Sequence, residues 1–305
     1  MSTPPHLSLP ADAVIEHWPA RLGTRAVLHA GLGQRDSWAV FVPGFTGSKE
    51  DFIALPPLLA DLGMGLLTYD QLGQHESAGS DDPADYELAR IAEDLADLVE
   101  QAAERMGRTD TPHLVGHSFG GLVAQQAVAM GVVRPASLVL LCTGPGALPA
   151  HRWGPLPDLV EALPHTSLET LWSIKRELDA ANAEAAGQPM DVDPEVDAFL
   201  EARWMRNHPQ QLRAYATHLM RQESMAELLM ARIAGPDGSP GIPLAIVWGE
   251  HDDAWPIPMQ VELADRLGAV ALEIPGAGHS PNSDDPQGLV AALARAWSAS
   301  PGTMT

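Results

Sequence analysis

Cysteine is nearly absent from the sequence: Cys142 is the only one, so no disulfide bond can form within the chain. Cys142 ends the apolar run 137–142 and no base motif accompanies it, so we interpret it as a buried structural thiol. The first ten residues, MSTPPHLSLP, lack the basic and then apolar regions of a secretory signal. No apolar run approaches the roughly 20 residues of a membrane-spanning helix. These absences predict a cytoplasmic protein that does not insert into a membrane.

Positive charge is also scarce. The 18 basic residues stand against 40 acidic ones, which gives a net charge of −22. Such a surplus argues against nucleic acid or an anionic membrane as a partner, and we interpret it as a surface that keeps the protein in solution. Hydrophobic residues make up 45% of the chain and charged residues 19%, which favours a sizeable packed core. The composition leaves the oligomeric state open.

Short apolar runs alternate with amphipathic helical patterns over most of the chain. Strands are predicted at 38–42, 64–69, 113–117, 137–142, 243–248 and 270–274, and helices at 51–61, 86–106, 119–131, 257–267 and 286–298. A strand pair around residues 22–33 is expected to open the sheet. Apolar strands without a clear period of two, separated by helices, indicate a parallel sheet covered on both faces. The sequence therefore predicts an α/β fold.

This alternation breaks between residues 146 and 236, where helical patterns follow one another without a strand. The turn-forming run PDGSPG at 236–241 closes this stretch. We predict that residues 1–145 and 237–305 form one α/β core, into which 146–236 is inserted as a helical cap, or lid.

The predicted cap contains several large apolar side chains that could line a pocket. Four candidate pocket residues are Trp153, Trp172, Trp204 and Met205. Packing among the cap helices would explain each of them as well. The cap also carries Arg203 and Arg206, which we interpret as solvated surface residues, with contact to a substrate carboxylate as the alternative.

The stretch HLVGHSFGG, residues 113–121, contains the pattern G-x-S-x-G around Ser118. The pattern is weak alone, but here it joins a predicted strand to a predicted helix. Gly116 and Gly120 lack Cβ atoms, so strand and helix can pack against a sharp turn that exposes the serine hydroxyl. The N-terminus of the following helix offers backbone N–H donors to a developing oxyanion. Ser118 is therefore the predicted nucleophile.

Two later motifs supply a base and an acid in the order that such a serine needs. His279 lies in the run PGAGHSP after a predicted strand, where packing does not explain a histidine. The strand at 243–248 runs into GEHDDAWP, which offers Asp252, with Glu250 and Asp253 as alternatives. His279 would take the Ser118 proton, and the acid would orient the imidazole.

Together these motifs resemble the α/β-hydrolase superfamily over nearly the whole chain, and most closely its small cap-bearing serine hydrolases of the esterase and lactonase kind. The resemblance implies a mostly parallel central sheet flanked by helices, with Asp252 as the acid. It also implies an oxyanion hole formed by the backbone N–H groups of Phe45 and Phe119. The loop that carries Phe45 reads VPGFTGS and departs from the family's usual His-Gly. Asp70 matches a loop-organising position.

The resemblance implies a small-molecule substrate and a serine hydrolase that cleaves its ester, thioester or lactone bond through an acyl-enzyme. An acyltransferase, a hydrolase of C–C bonds and a slow-turnover ligand receptor of the same fold are the alternatives. We expect no cofactor. We also expect no metal site, since the four-residue spacing of His113 and His117 on a strand and turn does not bring their side chains together.

Overall fold

A computed structural model of the protein describes residues 2–185, 193–234 and 241–298. Eight strands form its centre: β1 (Ala13–Pro19), β2 (Thr24–Ala30), β3 (Ser37–Val42), β4 (Met64–Tyr69), β5 (His113–His117), β6 (Ser137–Leu141), β7 (Leu244–Gly249) and β8 (Val270–Ile274). They form one sheet in the order β1-β2-β4-β3-β5-β6-β7-β8. Only the β1–β2 and β2–β4 pairs are antiparallel, and the remaining pairs are parallel. This is the mostly parallel sheet that the sequence predicts.

Helices cover both faces of the sheet. Those outside the β6–β7 connection are α1 (Leu55–Ala60), α2 (Leu88–Met106), α3 (Phe119–Met130), α9 (Ile257–Leu267), α10 (Pro281–Asp284) and α11 (Pro286–Ser298). Apolar residues of α2, α3 and α9 pack in one core cluster, whereas those of α1 and α11 pack in a second. Neighbouring residues in β3 divide accordingly, since Val40 faces the first cluster and Phe41 the second. Burial on both faces explains why the strands read as continuous apolar runs.

Two predicted segments differ from the structure. The strand pair expected around 22–33 is formed by β1 and β2, so its first strand begins earlier, at Ala13. Most of β1 is exposed at the edge of the sheet, and it therefore carries little apolar pattern. The helix predicted at 51–61 is a 3₁₀ turn, Lys49–Phe52, followed by α1. Pro56 and Pro57 suit the first turn of a helix but not its interior, so α1 begins there.

Helices α4 (Leu156–Ala162), α5 (Leu168–Ala185), α6 (Pro194–Arg206), α7 (Pro209–Arg221) and α8 (Ala226–Ile233) follow one another between β6 and β7. We call the segment between β6 and β7, which contains these five helices, the insertion. Its described residues contain no strand. Part of it has its own apolar cluster, which includes Trp172, Leu200 and Leu212. The predicted boundary at 236–237 and nearly all of the PDGSPG run lie outside the described residues. Among the helices that the structure describes, none is long and apolar enough to span a membrane.

Two arginines of α6 connect the insertion to the sheet domain. Arg203 is fully buried and pairs with Asp51 at 2.6 Å, with Asp51 equally buried. Arg206 is more exposed and pairs with Glu76 at 3.0 Å. The prediction of two solvated surface arginines is therefore wrong for Arg203, and both side chains meet protein carboxylates. The apolar pattern of α6 could not identify these partners, because they lie more than 100 residues away.

The topology creates a crevice beside the carboxyl ends of β3 and β5. These two strands are parallel neighbours, yet the chain leaves them towards opposite sides of the sheet, to β4 and to β6. Ligands of open α/β sheets bind at such a reversal of strand order. The loop 43–48 follows β3 and Ser118 follows β5, so both lie at this crevice.

Candidate active site

Ser118 occupies a sharp turn between β5 and α3. Its backbone φ of 55° lies in the left-handed region that L-residues rarely adopt. A Cβ on Gly116 would collide with the backbone of Gly120, and one on Gly120 would collide with the carbonyl of Val42. The turn therefore depends on glycine at both positions, as the sequence motif indicates. It is held by a hydrogen bond from the Ser118 N–H to the carbonyl of Leu141 (2.9 Å).

His279 connects Ser118 to Asp252. Nε2 of His279 lies 3.0 Å from Ser118 Oγ, and its Nδ1 lies 2.8 Å from Asp252 Oδ1. The structure thus brings the three predicted side chains together in the predicted order. The two alternative acids lie elsewhere. Glu250 accepts a hydrogen bond from the N–H of Gly276 (2.8 Å), and Asp253 is an exposed residue beside the cavity described below.

Asp252 is held in its ionised form. Its carboxylate also accepts hydrogen bonds from the Ala254 N–H (3.0 Å) and from Gln260 Nε2 (2.7 Å). Burial alone would raise the pKa of Asp252, but the hydrogen bonds and the attraction of His279 outweigh it, and the pKa lies below its ordinary value. An ionised acid stabilises a positive charge on His279 when that ring accepts a proton.

His117 supports His279 from within the turn, a contact that the sequence does not predict. Its Nε2 lies 2.7 Å from the carbonyl oxygen of His279 and must donate, because a carbonyl oxygen can only accept. Burial lowers the pKa of His117 to about 3. The ring therefore stays neutral at physiological pH and adds no second positive charge beside His279.

Two backbone N–H groups near Ser118 are unpaired. Phe119 is the first residue of α3, and Phe45 lies in the loop 43–48. Within the described parts of the chain, neither N–H donates a hydrogen bond to the protein. A helix N-terminus also carries a partial positive charge, which favours a developing anion. These are the two donors expected for an oxyanion hole.

A cavity of about 350 Å³ opens beside Ser118 and His279. Its apolar walls are formed by Phe45, Leu148, Trp153, Leu156, Leu219 and Trp255. Trp153 is thus the one predicted pocket residue that lines this cavity. Trp172, Trp204 and Met205 instead pack in the separate cluster of the insertion, where Trp172 and Trp204 lie 6.0 Å apart. These three therefore do not line the cavity seen here. An apolar residue of a helix looks the same in sequence whether it faces a cavity or another helix.

Within the described ranges, two groups of side chains have spacings that could hold a metal ion. One consists of Glu50, His75 and Glu76, and the other is formed by Cys142 with Asp252 and His279. In the first, the Lys49 ammonium lies 2.8 Å from a carboxylate oxygen of Glu50 and of Glu76, so it already supplies a positive charge.

The remaining residues of interest have structural contacts. Asp70 accepts hydrogen bonds from the backbone N–H of Lys49 (2.8 Å) and from its Nζ (3.0 Å), which joins the loops after β3 and β4. Burial raises the pKa of Asp70 to about 7. Cys142 is buried, and burial raises the pKa of its thiol well above the ordinary value. A thiol of this kind is a poor nucleophile, in agreement with the structural interpretation.

Comparison with known proteins identifies a protein family and one curated relative. A family model described as the alpha/beta hydrolase family matches residues 39–293. A curated protein of Variovorax paradoxus (strain S110), provisionally named carbamate hydrolase RutD, is 35% identical over 111 residues, which are 36% of this chain and 39% of that protein. The matched stretch therefore covers less than half of that relative.

Solved structures agree on the fold. A hydrolase from Pseudomonas aeruginosa PA01 superimposes with a TM-score of 0.69 at 18% identity, over 92% of this chain and 97% of its own. A thermophilic esterase from Thermogutta terrifontis gives 0.67 at 20% identity, over 93% and 97%. At such identities the likeness establishes the fold alone. Since the family model covers well over half of the sequence, the chain belongs to the alpha/beta hydrolase family.

Proposed function

We propose that the protein cleaves an ester, thioester or lactone of a small organic substrate through an acyl-enzyme on Ser118. The observation that carries this proposal is the hydrogen-bonded chain from Ser118 Oγ through His279 to Asp252, which lies at a cavity with apolar walls. Side chains in this arrangement support nucleophilic acyl transfer.

In the first half of the proposed reaction, His279 Nε2 takes the Ser118 proton while Oγ attacks the substrate carbonyl carbon. The carbonyl oxygen becomes an oxyanion that accepts hydrogen bonds from the N–H groups of Phe45 and Phe119. The tetrahedral intermediate then expels the alcohol or thiol, which receives the proton from His279. Asp252 stabilises the imidazolium in between.

In the second half, His279 takes a proton from water as the water oxygen attacks the acyl carbon. Collapse of this second tetrahedral intermediate returns the proton to Ser118 Oγ and releases the carboxylic acid. A lactone would follow the same steps, with its leaving alcohol tethered to the acyl group.

We also propose that the insertion acts as a cap over Ser118. Several apolar residues of the cavity wall belong to the 146–236 segment, namely Leu148, Trp153, Leu156 and Leu219. A cavity of about 350 Å³ suits a small acyl group more than a long fatty chain. Its lining combines these apolar residues with polar ones such as Arg152 and Asp253, so an acyl or leaving group can carry a polar substituent.

Kinetics on a panel of small substrates test this function. The panel contains esters, thioesters and lactones, together with carbamates because of the curated relative, and each is assayed with and without a competing alcohol. We expect hydrolysis of at least one ester-type substrate and labelling of the enzyme by a fluorophosphonate.

Ser118→Ala provides the decisive comparison. We expect it to keep the fold, to lose the fluorophosphonate label, and to lower kcat by at least ~10³-fold, because the serine and histidine act as a unit. Near-normal turnover by a folded Ser118→Ala variant would mean that another group is the nucleophile. Predominant transfer to the alcohol would instead identify an acyltransferase.

A further inference from the structure

Three buried glutamines donate hydrogen bonds to the loop that carries Phe45. The contacts are Gln71 Nε2 to Pro43 O (2.8 Å), Gln74 Nε2 to Gly44 O (2.7 Å) and to Phe45 O (3.0 Å), and Gln211 Nε2 to Phe45 O (3.1 Å). All three side chains are fully buried. Three successive carbonyl groups of one loop therefore each accept a hydrogen bond from a side-chain amide.

The bond from Gln74 fixes the direction of the Phe45 N–H together with a weaker backbone bond, from the Gly47 N–H to the same Gly44 carbonyl oxygen (3.2 Å). The carbonyl of Gly44 and the N–H of Phe45 belong to the same peptide group, which is planar and trans, so they point in opposite directions. A rotation of this peptide would turn the N–H away from its present direction and would break the 2.7 Å hydrogen bond from Gln74. Gln74 thus opposes loss of an oxyanion donor although it does not touch the reacting atoms.

Gln211 donates from the insertion to the carbonyl of the next peptide group, the one between Phe45 and Thr46. Gln71 and Gln74 follow β4 in the sheet domain, whereas Gln211 lies in α7 of the insertion. The carbonyl oxygen of Phe45 accepts from both Gln74 and Gln211, so the two parts of the molecule meet at one atom. A displacement of α7 would therefore release one of the restraints on Phe45.

Two of these three amides have a buried oxygen without a partner in the described parts of the chain, whereas Gln74 Oε1 accepts from the Gln71 N–H (3.0 Å). The two oxygens without a described partner are Gln71 Oε1 and Gln211 Oε1. An unpaired buried acceptor costs about 1–3 kcal/mol, which an apolar side chain of the same size would avoid. What a methionine could not supply at these positions is the N–H donor to the loop.

We propose that Gln74 and Gln211 are positioning residues that hold the Phe45 peptide in place as half of the oxyanion hole, and that the insertion thereby takes part in transition-state stabilisation. This inference rests on the proposed function, because an oxyanion hole has a role only if an oxyanion forms on a substrate. It assigns α7 a contribution beyond covering the cavity.

The test compares Gln74→Met and Gln211→Met with a matched control, Gln125→Met. Gln125 is also fully buried and donates to two backbone carbonyls, Gly121 O (3.2 Å) and Gly144 O (3.0 Å), but among the described residues it has no hydrogen bond to the loop 43–48. The three variants lose a buried amide of the same kind. Thermal unfolding shows how much stability each of them loses.

The readouts are kcat and KM for the best ester, and the inhibition constant of a trifluoromethyl ketone that matches its acyl group. Addition of Ser118 to this ketone forms a stable oxyanion, so its affinity depends on the same donors as the transition state. For Gln74→Met and Gln211→Met we expect kcat and ketone affinity to fall by a common factor of about 10–10², because a whole oxyanion donor is worth about 10²–10³ in kcat. We expect KM to stay within about twofold, and the pH profile to keep its shape.

The control variant and the wild type distinguish failure of this inference from failure of the proposed function. Gln125→Met should leave kcat, KM and ketone affinity near wild type, whatever stability it loses. Folded Gln74→Met and Gln211→Met variants with unchanged kcat and ketone affinity overturn the inference while the proposed function stands. If Gln74→Met does not fold, the result for Gln211→Met decides the inference. In Gln211→Met the carbonyl of Phe45 still accepts its hydrogen bond from Gln74. Absence of any Ser118-dependent turnover or ketone binding in the wild type overturns both proposals.

Discussion

Asp252 illustrates how a single residue depends on groups that are distant in sequence. His279 Nδ1 and Gln260 Nε2 reach its two carboxylate oxygens, and the N–H of Ala254 completes the set. The neighbouring carboxylates at 250 and 253 have the same charge but no contact with the imidazole. Position relative to the imidazole, rather than charge, therefore distinguishes Asp252 from the two other acids within the same four residues.

This difference makes a prediction about three matched variants. Asp252→Asn should lower kcat by about 10⁴-fold, because an asparagine cannot hold the imidazole in the reactive tautomer or stabilise its cation. Glu250→Gln and Asp253→Asn should leave kcat within a few-fold of the wild type. Steady-state kinetics on one ester decide, with circular dichroism as the check on folding. A large loss of kcat in either control variant, with none in Asp252→Asn, would mean that Asp252 is not the acid of the triad.

At the residue scale, glycine contexts made the proposed site visible in the sequence. Ser118 and His279 both lie among glycines after an apolar strand, and backbone geometry requires small residues there. The glutamines gave no such signal. Gln74 and Gln211 act on the same carbonyl from positions 137 residues apart, and side-chain amides occur throughout protein sequences. Only the folded chain brings them together.

Helix α6 carries two ion pairs of opposite character. Arg203 and Asp51 are both fully buried, and burial raises the pKa of Asp51 although the guanidinium opposes it. Arg206 and Glu76 are partly exposed to water. A charge left unpaired inside the protein is costly, whereas one left unpaired in solvent is not.

Arg203→Met should therefore lower the free energy of unfolding by about 3–5 kcal/mol, and Arg206→Met by at most about 1 kcal/mol. Urea denaturation measures both. The double variant Arg203→Met with Asp51→Leu should recover most of the loss, since it removes the buried carboxylate as well. Equal effects of the two single variants would contradict this account.

Elements marked by a short apolar run or by a helical apolar pattern could be predicted closely from the sequence. Strands β4, β5 and β8 and helices α9 and α11 lie at the predicted residues. Predictions were poorer where tertiary context decides the conformation: β1 is an exposed edge strand, and the segment 49–60 is divided by its prolines. The predicted fold class is confirmed, whereas the division into core and cap stays a proposal.

Several buried histidines link the stability of the whole molecule to pH. Burial lowers the pKa of His75 and of His113 to about 4, and that of His117 to about 3. An unfolded histidine titrates near ~6.5, so the unfolded chain binds protons that the folded one does not as the pH falls below that value. The contribution of these histidines to the free energy of unfolding therefore falls as the pH drops from ~6.5 towards their lowered pKa values. Asp70 opposes the trend, because its pKa is raised to about 7.

His113 offers the cleanest test of this linkage. It lies away from Ser118, its Nδ1 meets Ser137 Oγ at 2.6 Å, its ring packs 4.8 Å from that of Trp297, and Asp110 is the nearby charge. The free energy of unfolding of His113→Asn should fall less steeply than that of the wild type between about pH 6.5 and 4, because asparagine does not titrate. Chemical denaturation across this range measures the slopes. Parallel curves would exclude His113 as a contributor.

The strand order has a consequence for how the molecule is made. Neighbours β3 and β5 are separated in sequence by a complete β4–α2 excursion, and the groups around Ser118 extend from Phe45 to His279. Contacts between such distant residues form late in folding, after long loops have closed. A chain emerging from the ribosome exposes Ser118 long before it contains His279. By the proposed mechanism, turnover would thus begin only once synthesis has passed His279, and a shorter nascent chain would not consume substrate.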